Sequence, residues 1–325
     1  IDYNGTAAIQ AKINGSVTMT SSNGSNTAAL IDAALEKDIS MTAEQKEDAT
    51  VANNTLTIAG SSYVNKVWNA EKSEHVDNTV QQLATVGGAV SMPAADSNTL
   101  NAELATIGGA VKMTAENGSN TIQGNGDDTA SVITLPSLEM TAKVNNTAKF
   151  EDSAIKDTVT MTAETGDNTL TLTRTNSGKV TMTADRKNTM SVYGKFEKAD
   201  EEADVPSYTR YTVDGIDMTG TNNALNVGSA ANLGIVSLGA VNMTAKGNNT
   251  MNVVAGPEFD YVKGEESIKI DATAQADSIT MAGAQGTNAL NVNQGTLKVG
   301  TIAMSNTDKD GNTGKDSANA ITIAA

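Results

Sequence analysis

The loop Asn306-Thr307-Asp308-Lys309-Asp310-Gly311-Asn312 sets oxygen-bearing side chains at alternate positions and then a glycine. That is the pattern of the first half of a calcium loop, hard oxygen ligands spaced along a tight turn. The bidentate glutamate such a loop needs at its twelfth position is missing; Ser317 stands there, with Asp316 beside it. Asn306, Asp308, Asp310, Asn312 and Asp316 are thus candidate calcium ligands, weighed against a plain Asp/Gly turn. Gly124-Asn125-Gly126-Asp127-Asp128 is a weaker match, without the tandem nonapeptides that repeat calcium sites require. No cofactor other than calcium is implied.

Other chemistry is sparsely provided for. His75 is the single histidine and stands in a charged stretch, so neither a His-based triad nor a His-based metal site is expected. Cysteine is absent, which removes disulfides and thiolate metal sites. Acidic residues gather in runs such as Glu197-Lys198-Ala199-Asp200-Glu201-Glu202 rather than as pairs at a repeated position. A glycan-cleaving enzyme needs paired carboxylates at matching heights on one face. No catalytic residue is assigned and the chain is read as a non-enzyme, with a polysaccharide-acting β-helix enzyme kept as an alternative. Thr-x-Thr steps at 18–20, 160–162 and 181–183 raise the idea of an ice-binding array, but Lys112, Glu139, Asp217 and Asn242 break the same column with hydrated groups. Asn-x-Ser/Thr acceptors, as at Asn4, Asn14 and Asn117, follow from the composition of the repeat and carry little weight.

That repeat must position whatever the chain does. Met19, Met41, Met92, Met113, Met140, Met161, Met182, Met218, Met243, Met281 and Met304 each open a unit, with 21 residues as the tightest spacing. Two residues before each Met the side chain is aliphatic; two after, it is usually Ala or Gly. Such alternation makes a strand with one buried face. A second strand follows a short turn and opens with Asn, as at Asn54, Asn98, Asn120, Asn146, Asn168 and Asn188, with apolar residues two and four further on. Stretches such as 83–88 and 104–109 (LATVGG, LATIGG) read as a third short strand ending in a glycine corner.

Two strands and a remainder in about 21 residues form one coil, so the fold class expected is all-β: a single parallel β-solenoid spanning 1–325, of about twelve coils. One of the twelve is a degenerate unit ending at Asn78-Thr79-Val80. A right-handed path is taken from the general preference of parallel crossovers. Like residues then stack over like. Met fills a narrow interior, and an inward Asn, costly alone, bonds to the Asn above and below it. The expected ladders include Met113, Met140, Met161 and Met182, and Asn120, Asn146, Asn168 and Asn188. The segment Ala28-to-Asp38 has helical propensity, yet Met19 and Met41 lie one coil apart, so it is read as strand and corner.

Insertions interrupt the repeat at about 61–77, 193–211, 256–270 and 306–318. Most of the few aromatics sit there. Tyr193, Phe196, Tyr208, Tyr211, Phe259 and Tyr261 are candidate contacts for a host surface or a glycan; the alternative is that they pack back onto the solenoid wall. The formal net charge of −16 disfavours nucleic acid and anionic lipid, and no apolar run is long enough for a transmembrane helix.

The MTA…NT repeats, the absence of cysteine and the richness in Thr, Asn and Gly resemble the β-solenoid stalks of bacterial extracellular surface and fibre proteins, including autotransporter-type passenger domains. The resemblance implies export to the cell surface or beyond and a structural or adhesive role. Neither end carries a recognisable cap, so the expected partner is a second copy of the chain, stacked head to tail into a filament. A monomeric adhesin stalk that binds through the aromatic insertions is the second reading.

Overall fold

The computed structural model describes residues 10–46, 51–69, 71–72, 74–126, 133–197, 207–263, 266–307 and 318–324. Two long parallel sheets face each other across one apolar interior. Among the described residues there is no helix.

The Asn strands make the smaller sheet, which has 11 strands from Asn26–Ile31 to Ala318–Ile323. The Met strands and the third, returning strands share a 15-stranded sheet. Early in the chain these two are separate, as Ala33–Leu35 and Ile39–Ala43 or Ala105–Ile107 and Val111–Ala115. From Ile133–Ala142 onward they run as one strand. The join is kept by bulges: the register slips between Leu135 and Ser137 and between Ile155 and Thr158.

The sequence repeat becomes a column in space. Met92, Met113, Met140, Met161, Met182, Met218, Met243, Met281 and Met304 are successive register partners. Met19 sits over Met41, and the pairs Val90–Ile39 and Ala94–Ala43 carry the same alignment across the remaining step. From Met41 to Met281 these side chains are essentially sealed from water. The flexible thioether suits this interior because each coil offers it a slightly different gap. One gap is filled differently: Phe150 is fully buried where the coil before it has Gly124. A Cβ on that glycine would lie 2.6 Å from the Phe150 ring.

Among the described residues there are eleven Met strands and eleven Asn strands, hence eleven coils and a rod of roughly 50 Å at the spacing of paired strands. The unit expected to end at Asn78-Thr79-Val80 is not a coil. Those residues belong to Glu74–Gln82, which pairs antiparallel with Ser61–Asn69 as a hairpin. A hairpin alternates with the same period as a coil strand, so it copies the motif without the stacking. The Ala28-to-Asp38 segment is strand and corner: Asn26–Ile31, then Ala33–Leu35, with Asp32 between them at φ 46°.

Asp32 marks a recurring corner between the Asn strand and the returning strand. Leu104, Asp152 and Arg174 hold the same left-handed backbone, φ 46–48°, in later coils. Each corner N–H donates to the carbonyl just before the next corner: Asp32 to Ala59, Leu104 to Asn125, Asp152 to Thr173 and Arg174 to Tyr193. Gly60 and Gly126 stand at the same step of the ladder without that positive φ. A non-glycine at that φ carries about 1 kcal/mol or more of strain, sustained by the bonds on either side.

Candidate functional sites: the asparagine column and the hairpin edge

The inward Asn residues form one unbroken chain of amides. Asn26 Nδ2 donates to Asn54 Oδ1 at 3.0 Å, Asn54 to Asn98 at 3.0 Å, and Asn98 to Asn120 at 2.8 Å. The chain continues through Asn120, Asn146, Asn168 and Asn188 at 2.9–3.0 Å. It then runs through Asn223, Asn249 and Asn288. The second amide hydrogen goes to a carbonyl of the next Met strand: Asn120 to Thr141, Asn146 to Thr162, Asn168 to Thr183. From Asn54 to Asn288 each side chain is therefore satisfied on both hydrogens and on its oxygen, which is what lets a primary amide stay in an interior with 0–2% exposure.

The chain of amides points one way. Every link donates toward the C-terminal coil. Among the described residues nothing donates to Asn26 Oδ1. At the far end Asn306 occupies the position that Gly283 holds one coil earlier. It accepts from Asn288 and donates to Asn319 Oδ1. Asn319 itself is exposed. Beyond it the inward apolar residues meet water, Ile321 at 54% and Ile323 at 75% exposure.

A second ladder was not legible in the sequence. From Ser25 to Asn145 the residue before the inward Asn accepts the N–H of its counterpart in the next coil, and the ladder lapses at Asp167 and Lys187. Ser25 Oγ accepts from Asn53, Asn53 Oδ1 from Ser97, and Ser97 Oγ from Ser119. Ser119 Oγ then accepts from Asn145, and Asn145 Oδ1 from Asp167. Ser and Asn serve equally here, so no single residue type recurs.

All three described hairpins leave the rod at the corner after an Asn strand. They are Ser61–Asn69 with Glu74–Gln82, Lys195–Glu197 with Ser207–Thr209, and Glu258–Lys263 with Glu266–Asp271. The insertions thus crowd one edge, with one coil between that of the second hairpin and that of the third. Arg210 ties those two together: its guanidinium donates to the carbonyls of Thr273 (2.7 Å) and Asp271 (2.8 Å), and lies 3.2 Å from the Asp271 carboxylate. Lys298 reaches Glu258 at 2.6 Å and Asp271 at 2.9 Å. Partial burial works to raise the Asp271 carboxyl, but bonds from the Thr273 hydroxyl, Lys298 and the Thr273 N–H, with the charge of Arg210, bring it down to about 2.

Between the first and second hairpins the same edge carries a groove of about 580 Å³, floored by successive corners from Gly60 to Arg174. At its far end the charges are matched to each other. Arg174 clamps Asp152 at 2.6 Å through both Nε and a terminal nitrogen, and reaches Glu151 at 3.0 Å. The near end holds Glu103, Gln123 and Asn125.

The residues singled out from sequence fall as follows. Met113, Met140, Met161 and Met182 lie in the interior column, and Asn120, Asn146, Asn168 and Asn188 in the amide chain. Asn306 points inward with its oxygen already accepting from Asn288, while Asp308, Asp310, Asn312 and Asp316 lie outside the described residues. Among the described residues no three His, Asp or Glu side chains come together as metal ligands. Tyr211 is half-buried against the interior; burial, with the nearby Asp152 carboxylate, raises its phenol above the usual range. Tyr193 is half-buried on the outer face of its strand. Phe196, Tyr208, Phe259 and Tyr261 lie in strands of the second and third hairpins. Trp68, on the first hairpin, is 56% exposed and meets His75 edge to face at 5.3 Å. No helix is long and apolar enough to cross a membrane among the described residues.

Comparison with family models, curated proteins and solved structures gives no match.

Proposed function

We propose that the chain is a non-catalytic structural rod, the repeating subunit or segment of an extracellular or cell-surface filament built by head-to-tail stacking. The observation that carries this reading is the single direction of the amide chain. A rod whose buried amides all donate toward one end has unlike ends, an acceptor at Asn26 and a donor at Asn319. Unlike ends fit each other, and a contact between them does not close. Placing Asn26 of one copy over Asn319 of another continues the chain at the ordinary coil spacing. The same placement sets Ala28 and Leu30 over Ile321 and Ile323, covering the apolar residues that face water. Backbone pairing between the two end strands then adds the bonds that an open β edge offers.

The placement outside the cell is in keeping with the absence of cysteine, and a net charge of −16 keeps long rods from collapsing onto one another.

Electron microscopy of the purified chain tests the assembly. The expected result is unbranched filaments one rod wide, abolished by Asn319→Asp, which sets an anion against the Asn26 carbonyl while leaving the exposed strand folded. Monomers that persist at high concentration, or filaments untouched by Asn319→Asp, would overturn it. Immunogold labelling of intact cells tests the location, with label confined to permeabilised cells as the contrary result.

A further inference from the structure

The near end of the edge groove differs from the same outer column in the later coils in how its polar groups are used. On the outer face of the Asn strands, the later coils close on themselves: Asn291 Nδ2 donates to Asn252 Oδ1 at 3.0 Å, and Asn252 to Asn226 at 3.0 Å. The equivalent positions in earlier coils are Thr57, Asn101 and Gln123, followed by Lys149, by direct register. One step toward the edge the column reads Glu103, Asn125, Glu151. Among the described residues, the side chains of Thr57, Asn101, Glu103, Gln123 and Asn125 have no hydrogen-bond or ionic partner. They line a smaller cavity of about 180 Å³ that shares Glu103, Gln123 and Asn125 with the groove, so the two are continuous.

We infer that this continuous groove binds a neutral glycan, lying along the rod axis between the first hairpin and Arg174. The lining is amide, hydroxyl and one unmatched carboxylate. Such groups donate and accept in pairs, as adjacent sugar hydroxyls require. A peptide strand would need free backbone N–H and C=O groups, and here each corner N–H is already given to the next coil. A phosphate-bearing or uronate chain is opposed by Glu103, because the cations at the far end are held by Glu151 and Asp152. Coils rise by about 4.8 Å, close to the length of one pyranose unit, so successive sugars meet successive coils. The site needs no end-to-end contact and is independent of filament formation.

The test is isothermal titration of the full chain with cellohexaose, xylohexaose and chitohexaose, and with hexagalacturonate as the anionic comparator. At least one neutral hexamer is expected to bind. The doubly substituted Asn101→Ala/Gln123→Ala chain should bind it at least tenfold more weakly at an unchanged thermal midpoint, while Asn252→Ala binds as the parent does. Glu103→Gln should keep the neutral ligand and gain affinity for hexagalacturonate. Binding by none of the three neutral hexamers would overturn the inference. So would binding indifferent to the double substitution, or a preference of the parent chain for hexagalacturonate.

Discussion

The inner and outer faces of the Asn strands share one backbone and obey different rules. Inward, the same residue recurs in coil after coil, and each amide is bonded to its neighbours. Outward and three residues along, the column passes through Thr57, Asn101, Gln123, Lys149 and Thr171, closing into amide pairs only at Asn226, Asn252 and Asn291. The difference lies in water. A buried amide left without a partner costs its full desolvation, of order 1–3 kcal/mol, and an exposed one loses little because solvent takes the partner's place. Identity is enforced where water is excluded and relaxed where it is not.

The sharpest way to break that contrast is Asn168→Ala. It removes the acceptor of Asn146 and the donor to Asn188, and frees the carbonyls of Met161 and Thr183. Two or more unsatisfied buried groups predict a loss of about 3–6 kcal/mol; chemical denaturation measures it, and a loss below 1 kcal/mol would mean the column is not structural. Next in size is Gly124→Ala, whose new Cβ would sit 2.6 Å from the Phe150 ring. Overpacking predicts about 1–3 kcal/mol of destabilisation. Combining it with Phe150→Leu should restore part of that loss, and simple additivity of the two would show that the residues do not share space.

The third prediction concerns the hairpin clamp and acid. Asp271 is held at about 2, below its unfolded value near 3.9. A depressed carboxyl contributes stability above the unfolded value and loses it as pH falls. Solvent screening discounts the full conversion, so about 1 kcal/mol should disappear between pH 4 and pH 2. Asp271→Asn should flatten that part of a pH-dependent unfolding curve; an unchanged acid limb would show that the clamp does not couple to stability. The smallest effect is expected on the outer face. Asn252→Ala should change stability by less than about 1 kcal/mol, within the range of exposed polar substitutions, and a larger loss would erase the distinction between the two faces.

How far the sequence could be read follows the same logic. The Met and Asn spacings were visible because burial tolerates one solution at each, and from them came the parallel coil, its register and its interior. The ladder through Ser25, Asn53, Ser97, Ser119 and Asn145 left no such mark, since any short oxygen-bearing side chain can accept the next N–H. The hairpin at 61–82 was misjudged in part because Asn78-Thr79-Val80 repeats the letters of a coil strand within an antiparallel pair. Arg210 reaches residues 61 and 63 positions away, with no recurrence to announce it. The edge groove was invisible for a related reason: its residues belong to several coils and come together only through the stacking.

The corner after each Asn strand has one further consequence. Between Val227 and Val236 the chain leaves the rod and returns through a small turn, where Ser229 N–H donates to Asn232 O and Asn232 N–H to Ser229 Oγ. The three hairpins depart from corners of the same kind without disturbing either sheet. A foreign epitope or enzyme spliced in at Asn232 would therefore be displayed on the side that already carries the hairpins. If copies do stack, the cargo would repeat along the fibre at intervals set by one rod length.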